Sequence, residues 1–322
     1  MTRLLIITLL LGAGCAAQPP TPDWDSEMSL ALSARGKTLA EQGDEEAGKR
    51  LAEEALALAQ ASGSTAAQAR SLALIAWIDR SYIQAEEAFE LMAEWADTAE
   101  IWDLQLLLAD LALSEPYATT TEMELWARRA LGYAKAVIEP ASDEADFGQR
   151  AAYEGSARHL AAVALRRLRD PKAASYQERQ AALVLTLLPD DALPSLRLSV
   201  FQARGDDLAL EGEYQAAFLQ HVHAQSLAVA LKNQPGELAA MFGRAGDLAG
   251  LGRLRDAAQM AETLAQLAKS RGSTTLARRS AQRGLAWLDA KDPYGQQPLR
   301  QALLGCLREI DQLEVNQDAQ SP

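Results

Sequence analysis

Small residues recur at a fixed spacing along this 322-residue chain, and the spacing constrains the fold more than any other feature. Three pairs of small residues are seven positions apart: Gly36 and Gly43, Gly205 and Gly212, and Ala245 and Gly252. In each case the first residue lies inside a predicted helix, the glycine lies at a predicted turn, and an alanine-rich second helix follows. A small side chain at a helix crossing lets two helices approach closely. The spacing therefore predicts paired helices.

Composition agrees with this prediction. Between residues 27 and 315 the chain is dominated by alanine, leucine, glutamate, glutamine and arginine, which all favour helices. No segment alternates valine, isoleucine and threonine with polar residues in the way that strands do. The predicted fold class is all-α.

The sequences of the predicted turns between helices also repeat. Segments 61–79 and 270–289 both carry Gly-Ser-Thr at a helix start and Ala-Trp-aliphatic-Asp at its end. Glycine permits the left-handed turn that closes one helix, and serine or threonine caps the next. Such self-similarity is typical of repeat proteins.

Segment 201–224 resembles a tetratricopeptide repeat, because Gly205, Tyr214 and Ala217 follow the family's spacing and His221 stands where a second aromatic residue is common. The resemblance implies a right-handed α-solenoid of about seven antiparallel helix pairs. Marker alanines such as Ala257 imply a spacing near 40 residues, whereas the family has 34. The predicted pairs cover roughly 27–62, 64–97, 99–138, 143–188, 192–232, 235–271 and 273–315.

Residues 98–142 match the repeat pattern worst, and for them an insertion or a bend is the alternative to a true repeat. A compact helical domain is the alternative to a solenoid.

The first fourteen residues are typical of a secretory signal, with a basic start at Arg3, an apolar run over 4–11 and small residues over 12–14. Cys15 follows directly and resembles the lipidation site of bacterial lipoproteins, although Gly12 stands where that family has a leucine-like residue. The resemblance implies an acylated Cys15 after cleavage. An ordinary cleaved signal and an uncleaved cytoplasmic N terminus are the alternatives.

The residue after Cys15 is Ala16, and by resemblance to lipoprotein sorting in two-membraned bacteria this predicts an outer-membrane anchor that faces the periplasm. Residues 15–26 are rich in proline, which favours an extended tether. Residues 27–315 are the predicted repeat domain, and 316–322 are a predicted disordered tail.

Charge is distributed unevenly. Residues 16–160 hold 26 acidic and 11 basic side chains, whereas residues 161–322 hold 18 acidic and 19 basic ones. A strongly acidic surface repels phosphate backbones, so no nucleic-acid partner is predicted.

The sequence predicts no catalytic residue, no metal and no cofactor. The three histidines, His159, His221 and His223, lack the spacing of a helix-borne metal pair. The Asp206-Asp207 pair is interpreted as helix-end charge. Cys306, on the apolar face of the last helix, is predicted to be a buried structural thiol because no activating neighbour is visible.

Stacked helix pairs leave an inner groove lined by the first helix of each pair. This groove is expected to display five polar or charged side chains: Lys37, Arg70, Ser199, Gln202 and Asp206.

The predicted function is a membrane-anchored periplasmic scaffold that binds a protein or peptide. By resemblance it would serve pilus or secretion machinery, outer-membrane protein assembly or cell-wall synthesis. A soluble periplasmic or cytoplasmic helical-repeat regulator and a cell-wall hydrolase are the alternatives.

Overall fold

The computed structural model describes residues 24–92, 96, 98–141, 147–291 and 297–318. These residues form fourteen α-helices and no strand, which confirms the all-α prediction. The helices are α1 (Trp24–Glu41), α2 (Glu45–Ser62), α3 (Thr65–Asp79), α4 (Tyr82–Met92), α5 (Thr98–Ser114), α6 (Thr120–Ala141), α7 (Phe147–Arg167), α8 (Pro171–Leu185), α9 (Pro194–Leu210), α10 (Tyr214–Ala230), α11 (Gln234–Gly250), α12 (Leu254–Ser270), α13 (Thr274–Lys291) and α14 (Gln297–Asp318).

The chain divides into two compact units, with the boundary between Leu188 and Pro189. The N-terminal unit contains α1 to α8 and the C-terminal unit contains α9 to α14. Within each unit, consecutive helices pack as antiparallel pairs, and first helices of neighbouring pairs touch, as α1 does with α3 and α9 with α11. The described residues therefore contain the seven predicted helix pairs.

Residues 98–142 were the weakest match to the repeat, but they form an ordinary pair. Helices α5 and α6 pack on each other, α5 also packs on α4, and α6 packs on α7. The connection that separates them, residues 115–119, is longer than most other turns within pairs. This pair packs on the pairs before and after it, so it continues the row of helix pairs and is not an insertion.

The turns follow the Gly-Ser-Thr pattern. Gly63 has a φ of 71°, a left-handed conformation that glycine adopts without steric cost. The Ser64 hydroxyl then accepts a hydrogen bond of 3.4 Å from the backbone N–H of Ala67 and caps α3.

Small residues mark the helix crossings. A β-carbon on Gly36 would lie 2.8 Å from the carbonyl oxygen of Gly48, so α1 and α2 approach through their backbones. The marker alanines Ala85, Ala217 and Ala257 are each 0% exposed, as the repeat pattern predicts.

Aromatic side chains fill the core of the N-terminal unit. The rings of Trp102 and Tyr153 meet edge to face at 5.2 Å, and those of Tyr82 and Trp126 at 4.9 Å. Such pairs add specific geometry to the burial of apolar area.

Aliphatic side chains of α12 and α14 dominate one core cluster of the C-terminal unit, where Leu264, Leu303 and Ile310 surround Cys306. The Cys306 side chain is buried, which confirms the prediction of a structural thiol, and burial raises the thiol pKa.

The ends of the predicted repeat domain differ slightly from the observed helices. Helix α1 begins at Trp24, inside the predicted tether, and α14 extends to Asp318, inside the predicted tail. Cys15, the rest of 1–23, and residues 319–322 lie outside the described residues. No helix in the described ranges combines the length and apolar character that crossing a bilayer demands.

Candidate functional site

The first helices of the C-terminal unit enclose a cavity of about 540 Å³. Helix α9 contributes Gln202 and Asp206 to its lining, α11 contributes Ala239 and Phe242, and α13 contributes Arg279. The lining is mostly apolar on the central helix, apart from Gln234, and mostly polar or charged on the two flanking helices, apart from Leu276. We call this cavity and its walls the α9–α11–α13 groove.

Two of the five predicted groove residues, Gln202 and Asp206, lie together in this groove. Ser199 lies one turn earlier on α9, where its hydroxyl donates a hydrogen bond of 3.2 Å to the carbonyl oxygen of Ser195. Lys37 and Arg70 belong to the N-terminal unit. The five residues therefore do not form one described site.

The charges predicted in the N-terminal unit are engaged in internal contacts. Arg70 Nε donates a hydrogen bond of 2.7 Å to Oε1 of Glu100, a carboxylate that is largely buried. Lys37 Nζ lies 3.8 Å from Glu41, and burial lowers the pKa of this amine despite that neighbour. Arg70 thus links α3 to α5, whereas the contact of Lys37 stays within α1.

His221 lies on α10, directly behind the α9–α11–α13 groove, and only 1% of its surface is exposed. Its Nδ1 donates a hydrogen bond of 2.6 Å to Oδ2 of Asp247 on α11, which is equally buried. Its Nε2 lies 3.4 Å from Oδ1 of Asp206 on α9, an ion pair without hydrogen-bond alignment. One imidazole thus connects three helices.

Two glycines make room for this ring. A β-carbon on Gly205 would lie 2.5 Å from Nε2 of His221, and one on Gly243 would lie 2.6 Å from the same ring. Gly205, the small residue that the repeat pattern identifies, therefore leaves space for one side of the imidazole. Gly243 of the next helix pair leaves space for its other side.

The His221 ring carries a positive charge at neutral pH. Burial opposes that charge, but the two carboxylates of Asp206 and Asp247 outweigh burial and raise the pKa of His221 to about 9. Asp206 is 66% exposed toward the groove, so His221 compensates its charge from behind.

The interpretation of Asp206 and Asp207 as charges at the positive end of a helix is wrong. Both lie near the C-terminal end of α9, where the helix dipole is negative. Asp206 is held by His221, and Asp207 is buried. Contacts between helices decide their position, not the dipole.

The opposite wall of the groove is basic: Arg279 lines the cavity, and Arg283 lies beside it on α13, outside the lining residues. The guanidinium groups of Arg279 and Arg283, one turn apart on α13, each lie 4.8 Å from the ring centroid of Phe242. Both arginines are exposed, and no described carboxylate forms an ion pair with either. By contrast, Arg271 lies 2.8 Å from Glu237.

No three histidine, cysteine or acidic side chains converge as metal ligands within the ranges that the structure describes. Asp206 and Asp247 contact opposite nitrogens of His221 and so point at the ring from two sides. His223 points elsewhere, with its ring 5.7 Å from that of Phe201. The arrangement around His221 is a structural charge network.

Sequence reasoning missed the roles of Gly243, Asp247 and the stacked arginines. One signal was present: a histidine occupies an aromatic position of the repeat, and an aspartate follows four residues after a glycine in the next first helix. A charge in the interior of an alanine-rich helix needs a partner, since a buried charge is costly unless it is paired.

No protein-family model and no curated protein matches the sequence. The structure is similar to the crystal structure of a tetratricopeptide repeat protein from Parabacteroides merdae ATCC 43184, with a TM-score of 0.41 and 11% sequence identity. The alignment covers 87% of this chain and 99% of that chain. Its helix pairs, its left-handed glycine turns and the small residues at its crossings are the features of an α-helical repeat protein.

Proposed function

We propose that this chain is a lipid-anchored scaffold of the bacterial envelope that binds a peptide segment of a partner protein in the α9–α11–α13 groove. The observation that carries the proposal is the cavity of about 540 Å³, which is bordered by three successive first helices. Recognition clefts typically combine an apolar floor with a few polar groups that fix orientation.

The groove offers both features. Leu238, Phe242 and Leu276 provide apolar surface, and the side-chain amides of Gln202 and Gln234 provide donors and acceptors along the wall. A peptide in this groove could bury an apolar side chain on Phe242 and satisfy its backbone through the amides. This mixture suits a protein segment.

The anchor and the location rest on the N-terminal sequence. A basic start, an apolar run and small residues precede Cys15, and a proline-rich stretch separates it from α1. We infer that an acylated Cys15 holds the helical repeats at the periplasmic face of the outer membrane, where they serve an envelope assembly machine.

A substitution that fills the groove with a large side chain tests the docking proposal. Ala239 lines the cavity, so Ala239→Arg should fill it, whereas Ala230→Arg places the same side chain at an exposed position of α10 outside the groove. Partners captured from detergent-solubilised envelopes by the tagged chain are quantified by mass spectrometry. We expect Ala239→Arg to lose partners that Ala230→Arg retains; identical partner sets would contradict the proposal.

Charge reversal at Arg70 or Asp206 would be a weaker test. Arg70 is bonded to Glu100 and Asp206 contacts His221, so either reversal perturbs internal ion pairs as well as the surface.

The anchor is tested separately by the intact mass of the chain purified from membranes. We expect the mass of a chain that begins at Cys15 and carries acyl groups. A full-length mass, or a mature chain with an unmodified Cys15, would contradict the anchor and leave the groove proposal untouched.

A further inference from the structure

The basic wall of the α9–α11–α13 groove carries an arrangement that the fold itself does not require. Arg279 and Arg283 lie on the same face of α13, one turn apart, and like charges at this spacing repel each other. Both side chains nevertheless stack on Phe242 of α11, each 4.8 Å from the ring centroid. No described carboxylate pairs with them.

Stacking on the Phe242 ring restricts the positions of these guanidinium groups. A guanidinium over an aromatic face is attracted by the ring quadrupole and keeps its N–H edges available for other partners. Each guanidinium can donate paired N–H groups to a carboxylate. The arginines are thus ordered before any partner binds.

The remaining charges near the groove sum to −1, because His221 carries one positive charge between the carboxylates of Asp206 and Asp247, and Arg271 pairs with Glu237. Asp206 on the opposite wall lies 3.4 Å from Nε2 of His221, and Arg271 lies 2.8 Å from Glu237. With Arg279 and Arg283 the charges around the groove sum to +1, although the whole chain carries a formal net charge of −13. A local reversal of sign in an acidic protein selects an oppositely charged partner.

We propose that the partner segment is an acidic peptide, in which aspartate or glutamate side chains bind Arg279 and Arg283 while a neighbouring apolar side chain enters the cavity beside Phe242. This inference rests on the proposed docking function of the groove and adds the chemistry of its partner. The bound carboxylates supply the counter-charge that the arginine pair lacks.

Selection from a phage-displayed library of random dodecapeptides on the immobilised chain tests the proposal. We expect the wild-type chain to enrich peptides with two or more acidic residues next to an apolar one. The double variant Arg279→Glu and Arg283→Glu should instead enrich lysine and arginine. The matched control reverses two exposed arginines on second helices, Arg255→Glu and Arg308→Glu, and should keep the acidic preference.

The outcomes separate the inference from the function on which it rests. Wild-type enrichment without an acidic preference, or the same acidic peptides on the reversed variant, would overturn the inference and leave docking intact. If the wild-type chain enriched no peptide family, both proposals would fail. A dimer of the wild-type chain that the reversal abolishes would assign the groove to a second copy of the chain and overturn the acidic peptide.

The neutral variant Arg279→Gln and Arg283→Gln covers a failure of the reversed variant to fold. Its folding is checked by circular dichroism, and the affinity for a wild-type-selected acidic peptide is measured by fluorescence anisotropy. Loss of two charge-assisted contacts should weaken binding by about tenfold or more. An unchanged affinity would overturn the proposal.

Discussion

Single glycines at the helix crossings have two different neighbours. Gly36 lies against the backbone of Gly48, whereas Gly205 and Gly243 lie against the ring of His221. The repeat pattern identifies a small residue in both cases, but only the structure shows whether a backbone or a ring occupies the space. This difference determines what a β-carbon would cost at each position.

Gly243 and Gly246 on α11 provide a matched pair of substitutions. In Gly243→Ala the new β-carbon would lie 2.6 Å from His221, a ring that Asp247 holds and Gly205 confines from the other side. We expect a loss of about 1–3 kcal/mol. A β-carbon on Gly246 would meet no neighbouring atom within 4 Å, so Gly246→Ala should gain up to about 1 kcal/mol from helix propensity. Urea unfolding measures both; equal effects would contradict the packing described.

The raised pKa of His221 predicts a pH-dependent stability. The unfolded histidine has a pKa of about 6.5 and the folded one about 9, so the stabilisation is complete below the first value and is lost as pH rises through the second. The loss should be on the order of 3 kcal/mol. Urea unfolding from about pH 6 to 10 measures it.

His221→Gln is the control, because glutamine can still donate to Asp247 but does not titrate. The two chains share every other titratable group, so the comparison isolates the contribution of position 221. A wild-type pH profile parallel to that of His221→Gln would show that the ring is not the titrating group.

The two helices of a pair are also joined by buried charge. Glu178 of α8 is fully buried, with Oε1 2.7 Å from Nδ1 of His159 and Oε2 accepting a hydrogen bond of 3.0 Å from Arg166. Both partners lie on α7, so one carboxylate connects the two helices of a pair at two points. Removal of one member of a buried network leaves the others uncompensated.

Glu178→Gln should therefore destabilise the N-terminal unit by about 2 kcal/mol or more. Asp256→Asn is the control, since Asp256 is half exposed, pairs with Arg253 at 2.7 Å, and should cost no more than about 1 kcal/mol. Thermal unfolding followed by circular dichroism compares the two. Similar melting temperatures for both variants would mean that the buried network contributes little.

The elements could be predicted because their signals are local. Periodicity, caps and turn glycines lie within each helix pair, so the seven pairs follow from the sequence. Contacts between pairs could not be predicted, since their partners are distant in the chain: Arg70 and Glu100 are 30 residues apart, and His221 and Asp247 are 26 apart. The groove prediction named Gln202 and Asp206 but missed Arg279, because stacking on Phe242 depends on how two pairs pack.

At the scale of the whole molecule, the division at Leu188 and Pro189 was not predicted, because residues 186–193 between α8 and α9 look like an ordinary turn. Arg197 organises this turn: its Nε donates a hydrogen bond of 2.9 Å to the carbonyl oxygen of Ala192, and its Nη2 donates one of 2.9 Å to that of Pro189. A buried arginine that satisfies loop carbonyls leaves no local sequence pattern.

The two cysteines give a whole-molecule prediction that combines anchor and fold. If Cys15 is acylated and Cys306 is buried, the native chain should show no thiol that reacts with a thiol reagent, and the unfolded chain should show one. The reagent is applied to membrane-purified chain with and without guanidinium. One reactive thiol in the native chain and two after unfolding would contradict acylation of Cys15.

The packing of the His221 ring between two glycines also restricts which substitutions this protein can accept during evolution. A ring at position 221 and the absence of a side chain at positions 205 and 243 depend on one another, so relatives should substitute these three sites together. A lineage that acquires alanine at 205 or 243 should carry a smaller residue at 221, and its aspartate at 247 should then drift toward an uncharged residue.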